Sequence, residues 1–347
     1  MSEPVTIKRG IEIELEIESL AYGGMGLARI ENFVIFVKHA IPGQKVLARI
    51  YKKRKGYAEA QVLETLVESP NAVDVCCKHY WICSKIQSLS YDEQIKEKSS
   101  QVEDAFVRLG GFLNFKLDKV QKANLIYHYR NKMEFTFSPN RWVLESEPEG
   151  VDKSFALGLH IPGRFDKILN IHNCHIQPEI GNKILAVARE VCLANPELRP
   201  YDPRSHIGFL RFLMLRFGVN TGDLMVNVVT SYHDIDKLSP LTDLLLEKFP
   251  EITSLVNNVN TRKADVAFGE YETLLYGKPF IQEKIGDLTF EISANSFFQT
   301  NTTQGEVLYK EVEEALELRG DEIIYDLYCG TGTIGSVSYT HLRAHET

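Results

Sequence analysis

Apolar and polar residues alternate with a period of two along the first part of the chain, which predicts strands with one buried face. The alternation is that of IEIELEIESL (11–20). YGGMGLARI (22–30) follows with glycines at turn positions, and ENFVIFVKHAIPGQKVLARI (31–50) and YAEAQVLETL (57–66) are further strand-rich stretches. Glycine and proline residues separate these runs at turn positions. We therefore predict a small β-barrel of the OB type over residues 1–67.

The spacing of apolar residues becomes helical after residue 90, where Ile95, Val102 and Phe106 belong to a predicted helix that ends at Gly110. Strand-like and helical runs then mix, which predicts a central α/β domain. The strand-like runs are YRNKMEFTFS (129–138), FALGLHI (155–161), LRFLMLRFG (210–218) and DLMVNVVT (223–230), and the helical runs are GNKILAVAREVCL (181–193) and LTDLLLEKF (241–249).

Three further elements lead to a glycine motif. They are a strand in LTFEISANSFFQT (288–300), a helix from about 303 to 318 capped by Asn301 or Thr302, and a strand in EIIYDLY (322–328). Gly330, Gly332 and Gly335 follow as G-x-G-x-x-G, in which glycines let the backbone approach a nucleotide-like ligand. Asp326 precedes them, where a carboxylate repels a pyrophosphate but suits an ammonium group. The pattern indicates a nucleoside-type cofactor, and a glycine-rich turn without a ligand is the alternative.

Composition adds few constraints. The 347 residues suffice for two or three domains. No stretch is long and apolar enough to span a bilayer, and MSEPVTIKRG lacks the apolar run of a signal peptide, so we expect a cytoplasmic protein. The net charge of -8 argues against a general nucleic-acid coat protein but leaves room for a local basic patch.

One such patch lies at a predicted turn between strands. Between Tyr51 and Tyr57 stand four basic residues, Lys52, Lys53, Arg54 and Lys55. Basic side chains contact phosphates and aromatic rings stack on bases, so the loop is typical of a contact with single-stranded RNA. A solvated hairpin tip that discourages edge pairing has the same composition, and the loop alone does not decide between the two.

Six long, ungapped stretches together resemble bacterial 23S rRNA (uracil-5-)-methyltransferases and their tRNA-modifying relatives. They are YGGMGLARI (22–30), RNKMEFTFS (130–138), LGLHIPGRFDKILNIHNCHIQ (157–177), HIGFLRFLMLRFGVNTGDLMVNVVT (206–230), ISANSFFQTNTTQGEVLY (292–309) and DLYCGTGTIG (326–335). They stand in the family's order and cover nearly all of residues 6–335. The resemblance implies an N-terminal TRAM domain, a central α/β domain and a Rossmann-like methyltransferase domain that is incomplete here.

The resemblance also implies roles for individual residues. Gln299 and Tyr328 would contact S-adenosylmethionine, and Gly330 and Gly332 would admit its methionine part. The basic loop becomes an expected RNA contact, with 23S rRNA as the expected partner. The implied segments are 1–67 (TRAM), 68–92 (a cysteine-bearing connection), 93–268 (central domain), 269–335 (start of the methyltransferase domain) and 336–347 (a non-native tail).

The cysteines match an iron–sulfur pattern of this family only in part. Cys77 and Cys83 have the C-x5-C spacing and Cys174 matches the distant ligand, but no cysteine stands at the third position. Because a [4Fe–4S] cluster normally takes four thiolates, we expect a degenerate, empty site. A cluster with an unusual ligand and a zinc site that adds one of the histidines are the alternatives.

The chemistry expected of the family needs two further groups. A cysteine thiolate adds to C6 of uracil, C5 then takes the methyl group, and a carboxylate base removes the C5 proton. The family carries both groups in DPPR-type and SCNP-type motifs, which the sequence lacks. We therefore expect a 23S rRNA methyltransferase by family whose present chain lacks the catalytic residues. The alternatives are a catalytically silent RNA-binding protein and a tRNA T-loop uridine methyltransferase.

Overall fold

A computed structural model describes residues 7–264, 266–317, 319 and 322–341. The chain forms two compact units, Met1–Asn124 and Leu125–Thr347. Residues 1–6 of the predicted barrel, the end of the predicted helix at 318 and residues 342–347 of the predicted tail lie outside the described residues.

Six strands form the sheet of the first unit. They are β1 (Glu12–Glu16), β2 (Ser19–Ala21), β3 (Met25–Ile30), β4 (Phe33–Lys38), β5 (Lys45–Lys53) and β6 (Tyr57–Val67). Their order is β1-β5-β6-β4-β3-β2, and all neighbours are antiparallel except β4 and β6. Because β1 and β2 are consecutive yet pair with opposite sides of the sheet, the sheet curls into a half-barrel.

The alternating pattern accounts for the core of this half-barrel. Ile35, Val37, Val46, Ala48 and Ile50 are fully buried, while the residues between them face outward or lie partly exposed. Gly26 must be a glycine, because a Cβ there would lie 2.9 Å from the Ile17 side chain and 3.0 Å from Ala40. The strands predicted over residues 11–66 are therefore confirmed, with the break at residues 17–18 added by the structure.

Two helices complete the first unit, α1 (Tyr80–Cys83) and α2 (Tyr91–Asp104), and a π-helical turn, Ala105–Leu109, prolongs α2. The sequence assigned α2 to the central domain, yet it belongs to the first unit. Its Glu97 carboxylate accepts a hydrogen bond from the Leu20 N–H, and Gln101 donates to the Leu20 carbonyl. These bonds anchor the helix to β2. The predicted apolar face is partly solvent-exposed, most of all at Leu109.

An eight-stranded sheet organises the second unit, in the order β14-β13-β12-β11-β7-β9-β10-β8. Its strands are β7 (Lys132–Ser138), β8 (Arg141–Trp142), β9 (Ala156–Ile161), β10 (Arg164–Asn170), β11 (Leu210–Phe217), β12 (Leu224–Thr230), β13 (Ser254–Val259) and β14 (Tyr271–Gly277). The four strands predicted from the sequence are β7, β9, β11 and β12. The strand β14 falls in the segment expected to begin the methyltransferase domain, but it pairs with β13 at the sheet edge.

Helices α3 (Glu179–Ala194) and α4 (Ile235–Lys248) confirm the two predicted helical runs. Both bury an apolar side, which includes Ile184 and Leu185 in α3 and Leu241 and Leu245 in α4. The buried Arg189 joins α3 to the sheet, because its guanidinium donates to the carbonyls of Leu157 and Ile171.

A hairpin of β15 (Phe280–Ile285) and β16 (Leu288–Ser293) precedes α5 (Thr302–Leu316) and α6 (Thr333–His341). The hairpin and α5 cover one end of β12 and β13, where Met225 and Val256 meet Ile281, Ile292 and Phe298. Asn301 caps α5, since its side chain accepts a hydrogen bond from the Gln304 N–H.

One prediction about the last described segment is wrong. Residues 322–328 form no strand, and Ile323, Tyr325 and Leu327 are about four-fifths exposed. A strand needs a neighbour for its backbone hydrogen bonds, and none pairs with this segment among the described residues. Helix α6 extends into residues 336–341, which belong to the segment predicted as a non-native tail. Its start is fixed by the bond from the Ser336 N–H to the Gly332 carbonyl, 2.9 Å.

Candidate functional site

The glycine loop adopts the backbone conformation that the motif requires. Gly330 and Gly332 have φ angles of +57° and +70°, in the left-handed region that favours glycine. Among the described residues, none apart from the chain neighbours of Gly330 has an atom within 4 Å of the position of a Cβ on Gly330. The Gly332 N–H donates to the Cys329 carbonyl at 2.8 Å, and α6 begins at the next residue. The loop therefore presents open backbone at a helix N-terminus, which suits a polar ligand.

Tyr328 stands at the start of this loop with its side chain fully exposed and a φ of +65°. A positive φ is uncommon at a large aromatic residue. Asp326 lies on the other side of the loop, with Oδ2 3.3 Å from the position of a Cβ on Gly335. An exposed ring, open glycine backbone and a carboxylate thus surround one turn.

Gln299 lies in the connection between β16 and α5, with its side chain half-buried. Its carbonyl accepts a hydrogen bond from the Asn131 side chain at 2.9 Å, and the Asn131 N–H donates to the neighbouring Thr300 carbonyl at 2.8 Å. The first turn of α5 approaches the Gln299 side-chain stem at Gly305, which has no Cβ to occupy that space. The sequence motif at Gln299 is therefore held by β7 on one side and α5 on the other.

A buried carboxylate completes this support. Glu283 on β15 is 0% exposed, and Oε1 accepts hydrogen bonds from the N–H groups of Asn220 (2.9 Å) and Lys284 (3.0 Å). Oε2 accepts from the Val219 N–H and the Thr302 hydroxyl, both at 2.8 Å. All four partners are donors, as an ionised carboxylate requires.

The Thr302 hydroxyl links this carboxylate to the Gln299 segment, because it also accepts from the Asn131 side chain at 2.8 Å. The chain of groups Asn131, Thr302 and Glu283, here called the Glu283 network, fixes the start of α5. Sequence reasoning missed it, since a glutamate in the charged run QEK reads as a surface residue. The alternation of β15 contains the signal that could have found it, because Glu283 occupies the same buried phase as Ile281 and Ile285.

The Gln299 segment and the glycine loop precede two helices that contact each other. Tyr309 of α5 is buried and hydrogen-bonds to Thr333, the first residue of α6. Burial raises the pKa of the Tyr309 hydroxyl, so this group stays protonated at neutral pH. The two predicted cofactor segments therefore precede helices that contact each other, with the middle of α5 against the first residue of α6.

The two phenylalanines of the SFFQTN motif have different environments. Phe298 is 4% exposed and packs in the core cluster with Ile281 and Tyr309, whereas Phe297 is 68% exposed. Phe298 is a core residue, and only Phe297 presents a ring to solvent beside Gln299.

The basic loop of the first unit divides into one paired and three exposed residues. Lys52 forms an ion pair with Glu59, and this hydrogen bond raises the lysine pKa and lowers the glutamate pKa. Lys53, Arg54 and Lys55 are exposed around the turn that the Arg54 N–H closes onto the Tyr57 carbonyl. These three residues form the exposed basic tip.

The three candidate metal ligands differ in environment. In the first unit, Cys77 is buried and Cys83, at the end of α1, is exposed. In the second unit, Cys174 is 2% exposed, its N–H donates to Asn182, and burial raises the pKa of its thiol. Ligation requires a thiolate, which burial disfavours. Within the described ranges, no three histidine, cysteine, aspartate or glutamate side chains form a group that could hold a metal ion.

The comparisons with known proteins agree with this architecture. A TRAM domain model matches residues 7–63. The crystal structure of Pyrococcus abyssi tRNA (uracil-54, C5)-methyltransferase, in complex with S-adenosyl-L-homocysteine, resembles the chain with a TM-score of 0.68 and 24% identity. The match covers 93% of this chain and 69% of that one. The fold is therefore that of a methyltransferase with an N-terminal TRAM domain, as the sequence predicted.

Relatives identify the family. An uncharacterized RNA methyltransferase of Porphyromonas gingivalis is 39% identical over 332 residues, which cover 93% of this chain and 71% of the relative. One from Chlorobaculum tepidum is 41% identical over 300 residues, 84% of this chain and 62% of the relative. The chain belongs to this RNA methyltransferase family, and the recognition of the RNA uracil-C5 methyltransferase family from the sequence is confirmed. None of the helices in the described part of the chain has the length and apolar character needed to cross a membrane.

Proposed function

We propose that the protein to which this chain belongs transfers a methyl group from S-adenosylmethionine to C5 of a uridine in 23S rRNA, in the cytoplasm. The observation that carries the proposal is the 39% identity, over 332 residues, to an RNA methyltransferase. The TRAM domain and its exposed basic tip supply the RNA contact, and the glycine loop supplies the cofactor contact.

S-adenosylmethionine, when bound, supplies the methyl group on a sulfonium. The residues of this chain would bind the cofactor and orient it. The open backbone at Gly330 and Gly332 lets the methionine part approach closely, and the Asp326 carboxylate attracts its ammonium group. Tyr328 and Phe297 have exposed rings that would pack beside the cofactor and exclude water from it. Gln299, held by Asn131 and α5, has an amide that would hydrogen-bond to the cofactor.

Cofactor binding is tested by titrating the chain with S-adenosylhomocysteine in a calorimeter. Gly330→Ala places a Cβ in the open space of the loop and strains the backbone, so the affinity should fall at least tenfold. Gly286→Ala is the matched control, because Gly286 has a φ of +55° and equally open surroundings at the turn of the β15–β16 hairpin. Equal affinities for the two variants would contradict the assignment of the glycine loop.

The reaction itself is tested with tritiated S-adenosylmethionine on unmodified RNA transcripts. Incorporation into a 23S rRNA transcript, and not into tRNA transcripts, supports the proposal. Incorporation into the tRNA T-loop alone favours the tRNA alternative, and a tRNA is the substrate after which the Pyrococcus abyssi enzyme is named. RNA binding without incorporation by a full-length relative favours a catalytically silent RNA-binding protein, whereas incorporation by this chain would contradict the expectation that it lacks the catalytic residues.

We also propose that Cys77, Cys83 and Cys174 are the remnant of a cluster-binding pattern and hold no [4Fe–4S]. The missing third cysteine of the pattern supports this proposal, as does the raised thiol pKa of Cys174. Iron and acid-labile sulfide measured on protein purified without oxygen provide the test. Near-stoichiometric iron with sulfide would contradict it, and stoichiometric zinc without sulfide would favour the zinc alternative.

A further inference from the structure

Tyr309 lies in the middle of α5, the helix that stands between the Gln299 segment and the glycine loop along the chain. We propose that Tyr309 is a positioning residue of the cofactor site, whose ring supports the Gln299 segment while its hydroxyl holds the glycine loop. The inference rests on the proposed function, because it assumes that both segments contact the cofactor.

The ring of Tyr309 supports the Gln299 segment through packing. Tyr309 is 2% exposed and belongs to the core cluster that contains Phe298, the residue before Gln299. Gly305 lies one helical turn earlier on the same face of α5. A Cβ on Gly305 would lie 3.9 Å from Tyr309 Cε2 and 3.4 Å from Gln299 Cβ, so both side chains border the same part of the helix. The position of Gln299 therefore depends in part on the packing of this ring.

The hydroxyl of Tyr309 bonds to the other segment. Its partner is the side chain of Thr333, which is 5% exposed, and Thr333 Oγ1 lies 2.8 Å from Thr331 Oγ1. These two threonines flank Gly332 in the sequence. A hydroxyl donates one hydrogen bond and can accept others, so Thr333 can bond to both neighbours at once. The three hydroxyls thus form a chain from the core to the glycine loop.

The glycine loop is anchored mainly at its α6 side. Val337 lies one turn after Thr333 and packs against the core cluster that contains Tyr309. By contrast, the residues that lead into the loop are exposed, among them Leu327 and Tyr328. The start of α6 therefore carries the attachment of the loop, and Tyr309 supplies a polar contact there.

A tyrosine that only fills the core is the competing interpretation. Phe298 fills the same cluster without a polar group, so packing alone does not call for a hydroxyl. Burial of a hydroxyl is costly unless it is hydrogen-bonded. The partner that offsets this cost belongs to the start of α6 and not to α5, which favours a role in holding the loop.

Tyr309→Phe removes the hydroxyl and keeps the ring, so the variant should fold. In the ligand-free chain, hydrogen exchange of the peptide that covers residues 329–336 should become about 2-fold to 12-fold faster, the range for one lost hydrogen bond. The affinity for S-adenosylhomocysteine in calorimetry should fall by a similar factor, because fewer molecules hold the loop in the binding conformation. Tyr276→Phe is the matched control, since it removes a hydroxyl from a tyrosine of the second unit that is 49% exposed.

Variants of Thr333 separate the hydrogen bond from the packing. Thr333→Ser keeps the hydroxyl and should keep the affinity, whereas Thr333→Val should lose at least as much as Tyr309→Phe. The double variant should bind little more weakly than Thr333→Val alone, because both changes remove the same bond.

The possible results decide between the two interpretations. Exchange in Tyr309→Phe that matches the Tyr276→Phe control overturns the positioning role. Additive losses in the double variant, or equal losses in Thr333→Ser and Thr333→Val, overturn the hydrogen bond as its cause. If the unaltered chain binds no S-adenosylhomocysteine, the cofactor contact of the proposed function is contradicted, and the exchange measurement still decides whether Tyr309 holds the loop.

Discussion

The Glu283 network offers a sharp test of how the cofactor segment is held. In Glu283→Gln, one carboxylate oxygen becomes an amide nitrogen, which donates and cannot accept. If that nitrogen faces Thr302, the hydroxyl oxygen can accept from it, but the Val219 N–H loses its acceptor. If that nitrogen takes the place of Oε1 instead, the N–H groups of Asn220 and Lys284 both lose their acceptor.

The smallest expected cost therefore combines one orphaned buried donor with the loss of charge from the bonds that remain. An unsatisfied buried donor costs about 1 to 3 kcal/mol, and charge roughly doubles the strength of a hydrogen bond. We expect the free energy of unfolding of the second unit to fall by about 2 to 4 kcal/mol. With a slope of about 2 kcal/mol per molar urea, the midpoint should drop by about 1 to 2 M.

The chain provides a convenient reporter for this measurement. It has two tryptophans, and Trp81→Phe leaves Trp142 of the second unit as the single fluorophore. Urea unfolding is followed by its fluorescence in that background. Glu291→Gln is the matched control, an exposed carboxylate on the partner strand of the same hairpin, with an expected change within about 0.5 kcal/mol. If Glu283→Gln unfolds at the same urea concentration as this control, the carboxylate does not hold the segment as described.

Three further predictions concern the neighbouring features. Phe298→Ala should destabilise the second unit by about 3 to 5 kcal/mol in the same urea assay, whereas Phe297→Ala should leave stability unchanged and weaken S-adenosylhomocysteine binding in calorimetry. Replacing residues 53–55 with alanine should reduce the slope of log RNA affinity against log salt concentration by about 2, because each lost phosphate contact contributes about 0.7. An unchanged slope would show that the exposed basic tip does not contact the RNA. Burial raises the pKa of the Cys192 thiol to about 12, so this thiol should stay protonated from pH 7 to 9. It should react with Ellman's reagent only after unfolding, whereas the exposed Cys83 should react at once. Fast reaction of Cys192 in the native chain would contradict its burial.

The half-barrel and the helices could be predicted from the sequence because each of these strands and helices buries one face and exposes the other. Each strand of the first unit has one solvated face, so the alternation is visible, and α3 and α4 bury one side. The sequence did not reveal β13, because Asn257 and Asn258 are buried on both faces of a central strand and make it read as a loop. The side-chain nitrogens of both residues donate to groups on β12, such as the Val228 carbonyl, which only the fold brings close.

The candidate site was predictable where the chemistry depends on local backbone. The glycine loop and the N-cap at Asn301 follow from short-range geometry, and the structure has both. The burial and the partners of Glu283 depend on residues brought together from distant segments, which no spacing encodes. The strand expected at 322–328 failed for the same reason, since the stability of a strand comes from its neighbours.

The long reach of the Glu283 network has a consequence for the order of folding. The Asn131 side chain bonds to Thr302 across 171 residues of chain and to the Gln299 carbonyl across 168. Contacts of such high sequence separation form slowly, because a long loop must close before they gain anything. On the ribosome, β7 emerges and waits for most of the second unit to be synthesised before its asparagine finds these partners. The support of the cofactor segment is thus among the last parts of the molecule to form, and a cell that slows translation before this point prolongs the time in which the Asn131 side chain lacks both of these partners.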